Sequence, residues 1–206
     1  MQEIRLDNAK ETILKKYENQ QGDFHIIPSW NSNIKLWIVT KNSDISFLLE
    51  ASHENTSIEC YFLIPAINNQ NVKLDIQTNF KAKNTKVTIN IIALASDNAS
   101  ITLNWNLHIE NNINNVEAKL YEETLLIWNA KYISLIPWLR VDSPDVIASH
   151  GAKIQRISPE RIFYMQSRGL SEEKAINMII NSYLQDIAQK LQLNESQKSE
   201  FYSMIN

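Results

Sequence analysis

Alternating apolar and polar residues dominate the middle of the chain. In the clearest run, over residues 101–109, the apolar positions are Ile101, Leu103, Trp105, Leu107 and Ile109. A period of two puts successive side chains on opposite faces of a β-strand. Comparable patterns cover residues 34–39, 45–49, 58–65, 72–80, 87–92, 116–127 and 133–139. The pattern therefore predicts many short strands.

The strand patterns recur every 12 to 15 residues or so, with loops such as SDNAS and ENNINN between them. Even spacing of short strands is typical of a sandwich, a barrel or a β-solenoid, and no strict sequence repeat chooses between them. Asn in the loops suits a solenoid corner or a hairpin, since Asn adopts left-handed backbone more readily than most residues.

The N-terminal segment has a different pattern. Residues 7–20 predict a short helix that Asp7 or Asn8 caps, with Ile13, Leu14 and Tyr17 as its apolar stripe. Gly22 is expected in the turn that follows. This gives a first unit of helix and linker over residues 1–25.

The last quarter predicts three helices. Ser158-Pro159-Glu160 is a helix start, and Gly169 suits the left-handed position after the helix ends. Ser171 is expected to cap a second helix, and a third covers residues 195–205. In the first helix, Ile162, Phe163 and Met165 are expected to face the core. The predicted units are thus a β core over 26–157 and a helical domain over 158–206.

The amino-acid composition excludes several classes of function. The 206 residues include one Cys and three Gly, where average usage would give about 14 Gly. One Cys excludes an intramolecular disulfide framework. A net charge of −3 gives no basic field for nucleic acid, and no apolar run reaches the roughly 20 residues of a membrane helix. We expect a cytoplasmic protein, or an organellar stroma or matrix protein in a eukaryote, because no targeting peptide is visible.

Few residues carry recognisable chemistry. The chain contains no G-x-x-x-x-G-K or G-x-G-x-x-G motif, which excludes a P-loop ATPase within it. Cys60 and His108 are expected to be a buried small hydrophobe and a surface residue. His150 follows Arg140, Asp142 and Asp145, a group that could bind metal or perform acid–base chemistry. Alternatively, residues 142–145 form a turn and Ser149-His150-Gly151 a tight bend.

Residues 116 to about 184 resemble the C-terminal region of the SufB/SufD family of iron–sulfur cluster assembly proteins. The resemblance is carried by Asn129-Ala130-Lys131, Pro137-Trp138-Leu139, Asp145-Val146, Ser149-His150-Gly151-Ala152, Ser158-Pro159-Glu160 and Phe163-Tyr164-Met165-Gln166-Ser167-Arg168-Gly169. The S-H-G-A element looks more like SufD than SufB, which tends to carry E-H-E-A.

The resemblance implies a short right-handed parallel β-helix followed by a C-terminal α-helical domain. It further implies a non-catalytic SufD-like scaffold that pairs through its β-helix with a SufB-like subunit or with itself. The C-terminal helices would dock a SufC-type ABC ATPase, through Phe163, Tyr164, Ser167, Arg168 and Gly169. No cofactor is expected on this chain alone, although it could share a transient iron–sulfur cluster with its partner.

The resemblance places His150, with Ser149 and Gly151, at the subunit interface, with His150 as a candidate metal ligand. Two departures from the family concern this region. Ala148 stands where SufD-type sequences often carry Cys, and the SufB cysteine that receives sulfur matches a position near Lys131. The chain is also about half the usual family length. Gly151 and Gly169 are both expected to meet a backbone constraint.

Two other functions remain open at this point. A β-helix carbohydrate-active enzyme would need a pair of carboxylates, and Asp142 and Asp145 are the suggestive pair. A plain protein-interaction module would have no cluster role, and His150 would then be structural.

Overall fold

The computed structural model describes residues 2–6, 10–127, 132–190 and 193–205. Over these residues the chain forms twelve strands followed by three helices. The strands are β1 Gln2–Leu6, β2 Lys10–Glu18, β3 Gln21–Pro28, β4 Asn33–Lys41, β5 Asp44–Ala51, β6 Ser57–Ala66, β7 Asn71–Phe80, β8 Thr85–Ser96, β9 Ser100–Ile109, β10 Val116–Ile127, β11 Tyr132–Val141 and β12 Val146–Arg156. The helices are α1 Pro159–Ser167, α2 Glu172–Lys190 and α3 Glu195–Ile205.

The strands form two parallel sheets. The odd-numbered strands make one six-stranded sheet in the order β1-β3-β5-β7-β9-β11, and the even-numbered strands make the other, from β2 to β12. We call these the odd sheet and the even sheet. Successive strands alternate between the sheets, so the chain winds as a parallel β-solenoid, as the family resemblance implied. Gln2 pairs with Phe24 and Ser100 with Tyr132, so the coil length grows from 22 residues at the first coil to 32 at the last.

The interior of the solenoid is an apolar core that both sheets share. Inward side chains of one coil stack on the equivalent side chains of the next, as do Phe24 and Phe47, whose ring centroids are 5.4 Å apart. Phe62 of the facing even sheet lies across the core, with its ring centroid 5.4 Å from that of Phe47. Cys60 lies in this core. Its burial raises the pKa of the thiol to about 12, so the prediction of a buried small hydrophobe is confirmed.

Asparagine makes the corners between strands. Among the described residues other than glycine, nine have a positive φ, and eight of them are Asn. A side chain with a β-carbon disfavours this left-handed backbone, and Asn and Asp tolerate it best. The corner residues explain how a chain with three glycines makes so many turns: Asn19, Asn31, Asn42, Asn55, Asn68, Asn84, Asp97, Asn112 and Asn115.

The predicted N-terminal helix is wrong. Residues 10–18 form β2, which pairs in parallel with β4, and Gln21–Pro28, including Gly22, form β3. Ile13 and Tyr17 pack against the solenoid core. Residues four apart share a face on a strand as well as on a helix, so the apolar spacing did not distinguish the two. Asp7 and Asn8, the expected caps, lie outside the described residues.

The helix boundaries agree with the prediction. Ser158 is the N-cap of α1, where its Oγ accepts a hydrogen bond from the Arg161 backbone N–H at 3.4 Å. The Lys174 backbone N–H donates to the Ser171 Oγ at 3.3 Å at the start of α2. Gly169 has a φ of 90°, the left-handed conformation expected after α1.

Helices α2 and α3 pack against the outer face of the even sheet. Outward side chains such as Trp37, Leu63 and Leu125 form a second apolar cluster with Leu184 and Phe201 of the helices. The helices therefore share this second cluster with the outer face of the even sheet, separate from the core inside the solenoid. No described helix is both long and apolar enough to cross a membrane.

The corner at Asn55, where φ is 58°, allows a direct test of the role of asparagine. We expect Asn55→Val to lower the free energy of unfolding by about 1–2 kcal/mol in urea denaturation, since a β-branched residue resists left-handed backbone. Asn55→Gly should be neutral or stabilising. Asn106→Val is the matched control, because Asn106 lies on an extended strand with its side chain exposed. Equal losses at positions 55 and 106 would contradict this account.

Candidate functional site

The solenoid ends in a coil that no further coil covers. In the described part of the chain, β11 pairs only with β9 and β12 only with β10. Each of these strands therefore has one backbone edge without a strand partner, and such an edge can pair with another chain.

The inner face of this last coil is apolar and uncovered. The register pairs Leu139 with Leu107 and Ala148 with Ala118, both of which belong to the buried core. Leu139 is nevertheless 40% exposed and Ile154 is 58% exposed. We call this surface the open end; its residues are Pro137, Leu139, Val141, Val146, Ala148, His150, Ala152 and Ile154.

His150 lies within this surface. It pairs with the inward residue Leu120, so its side chain starts from the inner face, and the residue is exposed. In the part of the chain that the structure describes, the His150 ring has no hydrogen bond or ion pair. An imidazole with a free ring nitrogen can bind a transition metal.

The residues beside His150 lie on the other side of the strand. Ser149 pairs with Lys119 and Gly151 with Tyr121, both of which are outward positions of β10. The alternative that Ser149-His150-Gly151 forms a tight bend is wrong, because all three lie inside β12. Strand alternation therefore brings His150 to the open end and turns Ser149 and Gly151 away from it.

Gly151 does not meet the backbone constraint that the sequence suggested. A β-carbon at this position would lie 3.6 Å from Cδ2 of Tyr121, which is an ordinary van der Waals contact. Of the two glycines of the family motif, Gly169 alone has a positive φ.

Asp142 and Asp145 act in the corner between β11 and β12. One Asp142 oxygen accepts hydrogen bonds from His108 at 3.0 Å and from Arg140 at 2.8 Å, and these partners lower the pKa of the carboxyl. Asp145 accepts from the Asn115 backbone N–H at 2.9 Å. The turn over residues 142–145 is confirmed. These hydrogen bonds give both carboxylates a structural role in the corner. The geometry therefore does not support Asp142 and Asp145 as the catalytic acid pair of a carbohydrate-active enzyme.

Glu122 lies beneath the open end and was not among the residues predicted from the sequence. Glu122 pairs with Ile91 and Ala152 on the inner face of β10 and is 3% exposed. Its Oε1 has no hydrogen-bond partner, and burial raises the pKa of the carboxyl to about 7. The period-two pattern could have found it, because Glu122 continues the inward series of Val116, Ala118 and Leu120.

One copy of the chain offers no complete metal site among its described residues. Across the described ranges, no group of three or more His, Cys, Asp or Glu side chains could hold a metal ion. Lys131, the position compared with the sulfur-accepting cysteine of SufB, lies outside those ranges, as do Asn129 and Ala130.

Helix α1 presents a second exposed surface. Phe163 is 71% exposed and Tyr164 is 60% exposed. The Arg168 guanidinium lies 5.3 Å from the centre of the Tyr164 ring and donates a hydrogen bond to its hydroxyl at 3.1 Å. Ser167 donates to the Tyr164 carbonyl at 2.7 Å. We call Phe163, Tyr164 and Arg168 the α1 surface.

The expectation that Phe163 faces the core is wrong, and Met165 is only half-buried. No residue of α1 is fully buried, and Ile162 is the one that packs against the second apolar cluster. Helix α1 contacts α2 along one side only, so most of its apolar residues stay in solvent.

Comparisons with known proteins agree on one family. Residues 31–183 match the family model described as SUF system FeS cluster assembly, SufBD core domain. An iron–sulfur cluster assembly SufBD family protein of Staphylococcus saprophyticus is 28% identical over 111 residues, and those of Staphylococcus haemolyticus and Staphylococcus aureus are 27% identical. Each match covers 54% of this chain and 24% of the relative, so the chain matches about a quarter of each relative's length.

The buried carboxyl of Glu122 predicts how stability depends on pH. In the folded chain the pKa of this carboxyl is about 7, so it keeps its proton well above its ordinary pKa of 4.5. The folded state then holds the extra proton, so this group makes the chain less stable as the pH rises from 5 to 8. Glu122→Gln cannot ionise and should remove this loss, which is roughly 2–3 kcal/mol between pH 5 and pH 8.

Thermal melts of both proteins at pH 5 and pH 8 would measure this effect. The difference in melting temperature, Glu122→Gln minus wild type, should be more positive at pH 8 than at pH 5. The control is Glu123→Gln, because Glu123 lies on the outer face and accepts from Lys153 at 3.1 Å; it should not share this dependence. The same difference between Glu122→Gln and wild type at both pH values would refute the assignment.

Proposed function

Because the chain belongs to the SufBD family of iron–sulfur cluster assembly proteins, we propose that it is a SufD-like, non-catalytic scaffold subunit of a SUF-type machine. The S-H-G-A element at residues 149–152 supports the SufD type. The chain carries no P-loop motif, so ATP hydrolysis in such a machine would fall to a partner.

The subunit pairs with another chain through the open end. The uncovered inner face of the last coil is the observation that carries this proposal, because the same positions are buried in every interior coil. Large exposed apolar surfaces are typical of interaction sites. The unpaired edges of β11 and β12 add backbone donors and acceptors that a second solenoid could pair with.

The partner is a SufB-like subunit or a second copy of this chain. Both would bring a solenoid end of matching shape. A second copy would bring the same surface across a two-fold axis. The mass of the complex distinguishes these two assemblies.

The α1 surface docks a SufC-type ABC ATPase. Two exposed aromatic rings offer contact area, and exposed aromatic and arginine residues are typical of energetic centres in interfaces. The hydrogen bond to Tyr164 orders the Arg168 side chain before binding, which lowers the entropy lost on docking. Gly169 and Ser167 shape the helix end that presents these side chains.

The cargo is an iron–sulfur cluster that forms transiently between the paired subunits. His150 is the ligand that this chain contributes, since the residue is exposed at the open end and its ring has no hydrogen bond or ion pair among the described residues. Imidazole is a suitable ligand for iron. The partner supplies thiolates, because the only cysteine of this chain is buried in the core.

Leu139→Glu tests pairing through the open end. A carboxylate at this half-exposed position costs little in the free chain, but pairing would bury it without a partner, so the association constant should fall roughly tenfold or more. Light scattering after gel filtration measures the mass, for the chain alone and with a co-expressed SufB-like subunit. Ile67→Glu is the control, because Ile67 is similarly exposed, at 44%, but lies in the corner between β6 and β7 and not at the open end. A Leu139→Glu chain that pairs like wild type would exclude the open end.

Arg168→Glu tests ATPase docking. Reversing this charge removes the donors that would reach carbonyl and carboxylate groups on the ATPase, so recovery of the ATPase in a pull-down should fall while the circular dichroism spectrum stays unchanged. Arg5→Glu changes a similarly exposed arginine in β1 and should leave recovery intact. Equal recovery with both variants would remove Arg168 from the docking surface.

A further inference from the structure

Glu122 is a buried carboxyl that the fold does not explain. Its neighbours on the inner face of β10 are Leu120 and Thr124, both buried, and the register pairs it with Ile91 and Ala152. Burying an ionisable group without a charged partner is costly, and no ion pair involves Glu122 among the described residues. A hydrophobic residue would fill the same position more stably, which suggests that the carboxyl has a role outside folding.

The register places Glu122 close to His150. Ala152 pairs directly with Glu122, and His150 lies two residues before Ala152 on the same inner face. With neighbouring strands about 4.8 Å apart and residues i and i+2 about 6.6 Å apart, the β-carbons of Glu122 and His150 are about 8 Å apart. Both side chains are long enough to reach one ion between them at ordinary metal–ligand distances of about 2 Å.

We propose that Glu122 and His150 together bind one divalent transition-metal ion at the open end, as a carboxylate and an imidazole ligand, and that the paired subunit completes the site. This inference rests on the proposed function, and in that setting the ion is the iron delivered for cluster assembly. The new element is Glu122 as a second metal ligand beside His150, because neither the sequence motif nor the family resemblance pointed to Glu122.

The donor set fits such an ion. Imidazole nitrogen and carboxylate oxygen are the ligands that Fe(II) takes in sites with open positions. Binding would give Oε1 of Glu122 the partner that it lacks in the described structure. Ala152, which lies between Glu122 and solvent on the next strand, has a small side chain and is exposed, so it leaves room for the ion.

One chain supplies only half of a site. Across the described residues, no third acidic, histidine or cysteine side chain joins these two. A second chain that covers the open end would add its own ligands, and a second copy would add the same pair. The ion would then lie between subunits, where pairing or separation of the chains could hold or release it.

Cobalt titration tests the proposal with a metal that can be followed by absorption. The tag-free chain, in the paired assembly that light scattering identifies, is titrated anaerobically with Co²⁺, and binding is measured by visible absorption and by calorimetry. We expect wild type to bind, and Glu122→Gln and His150→Ala each to weaken binding roughly tenfold or more. The matched controls are Glu123→Gln and His108→Ala, which change an acid and a histidine on the outer faces of the sheets. Both controls should bind like wild type.

Glu122→Cys separates direct ligation from a structural effect. If residue 122 touches the metal, a thiolate there adds a sulfur-to-cobalt charge-transfer band in the near ultraviolet, and a purely structural residue would not produce it. Unchanged circular dichroism confirms that each variant is folded. Should Glu122→Gln fail to fold, the presence or absence of this band in Glu122→Cys decides the assignment.

The outcomes also separate this inference from the proposed function. If His150→Ala loses binding but Glu122→Gln binds like wild type, Glu122 is not a ligand, while His150 keeps its proposed role. If wild type binds no Co²⁺, or no variant weakens binding, the two-ligand site is overturned. Pairing through Leu139 and ATPase docking through Arg168 have separate readouts that these results leave unchanged.

Discussion

The vertical stacking of coils in parallel register is the constraint on which the rest of this structure depends. Each coil buries its inner side chains against the coils before and after it, so a single coil has no core of its own. The same rule leaves the inner face of the last coil uncovered, with Leu139, Ile154 and His150 exposed where their counterparts are buried. The proposed interface is thus a direct consequence of how the core is built.

Two features of the chain accompany the stacking of coils: the corners between strands and the covered outer face of the even sheet. Asn and Asp supply the left-handed turns, so the corners need almost no glycine. Helices α2 and α3 cover one outer face and bury Trp37 and Leu125 on the side that a strand usually exposes. The odd sheet keeps a largely polar outer face, apart from the exposed Ile136 and Trp138 on β11. His108 and Arg140 donate to Asp142 in the last corner. The two sheets therefore have different surroundings although their strands are alike.

The open end and the α1 surface have two different proposed functions, subunit pairing and ATPase docking. The first combines an apolar surface with His150 and the buried Glu122, which suits pairing around a metal ion. The second presents Phe163, Tyr164 and an ordered Arg168 beyond the end of the solenoid. Because β12 leads through Ile157 directly into α1, a movement of the docked partner would act on the strand that carries His150.

The sequence by itself determined strands β4 to β11, the three C-terminal helices with their caps, and the family, because local alternation, capping chemistry and short motifs are properties of neighbouring residues. It did not determine that residues 10–18 are a strand, since pairing with β4 decides this and the spacing of Ile13 and Tyr17 fits both structures. Nor did it separate His150 from Ser149, or reveal Glu122. Which face of β10 and β12 points inward is decided by the stacked coils, and that burial depends on residues about 30 positions away.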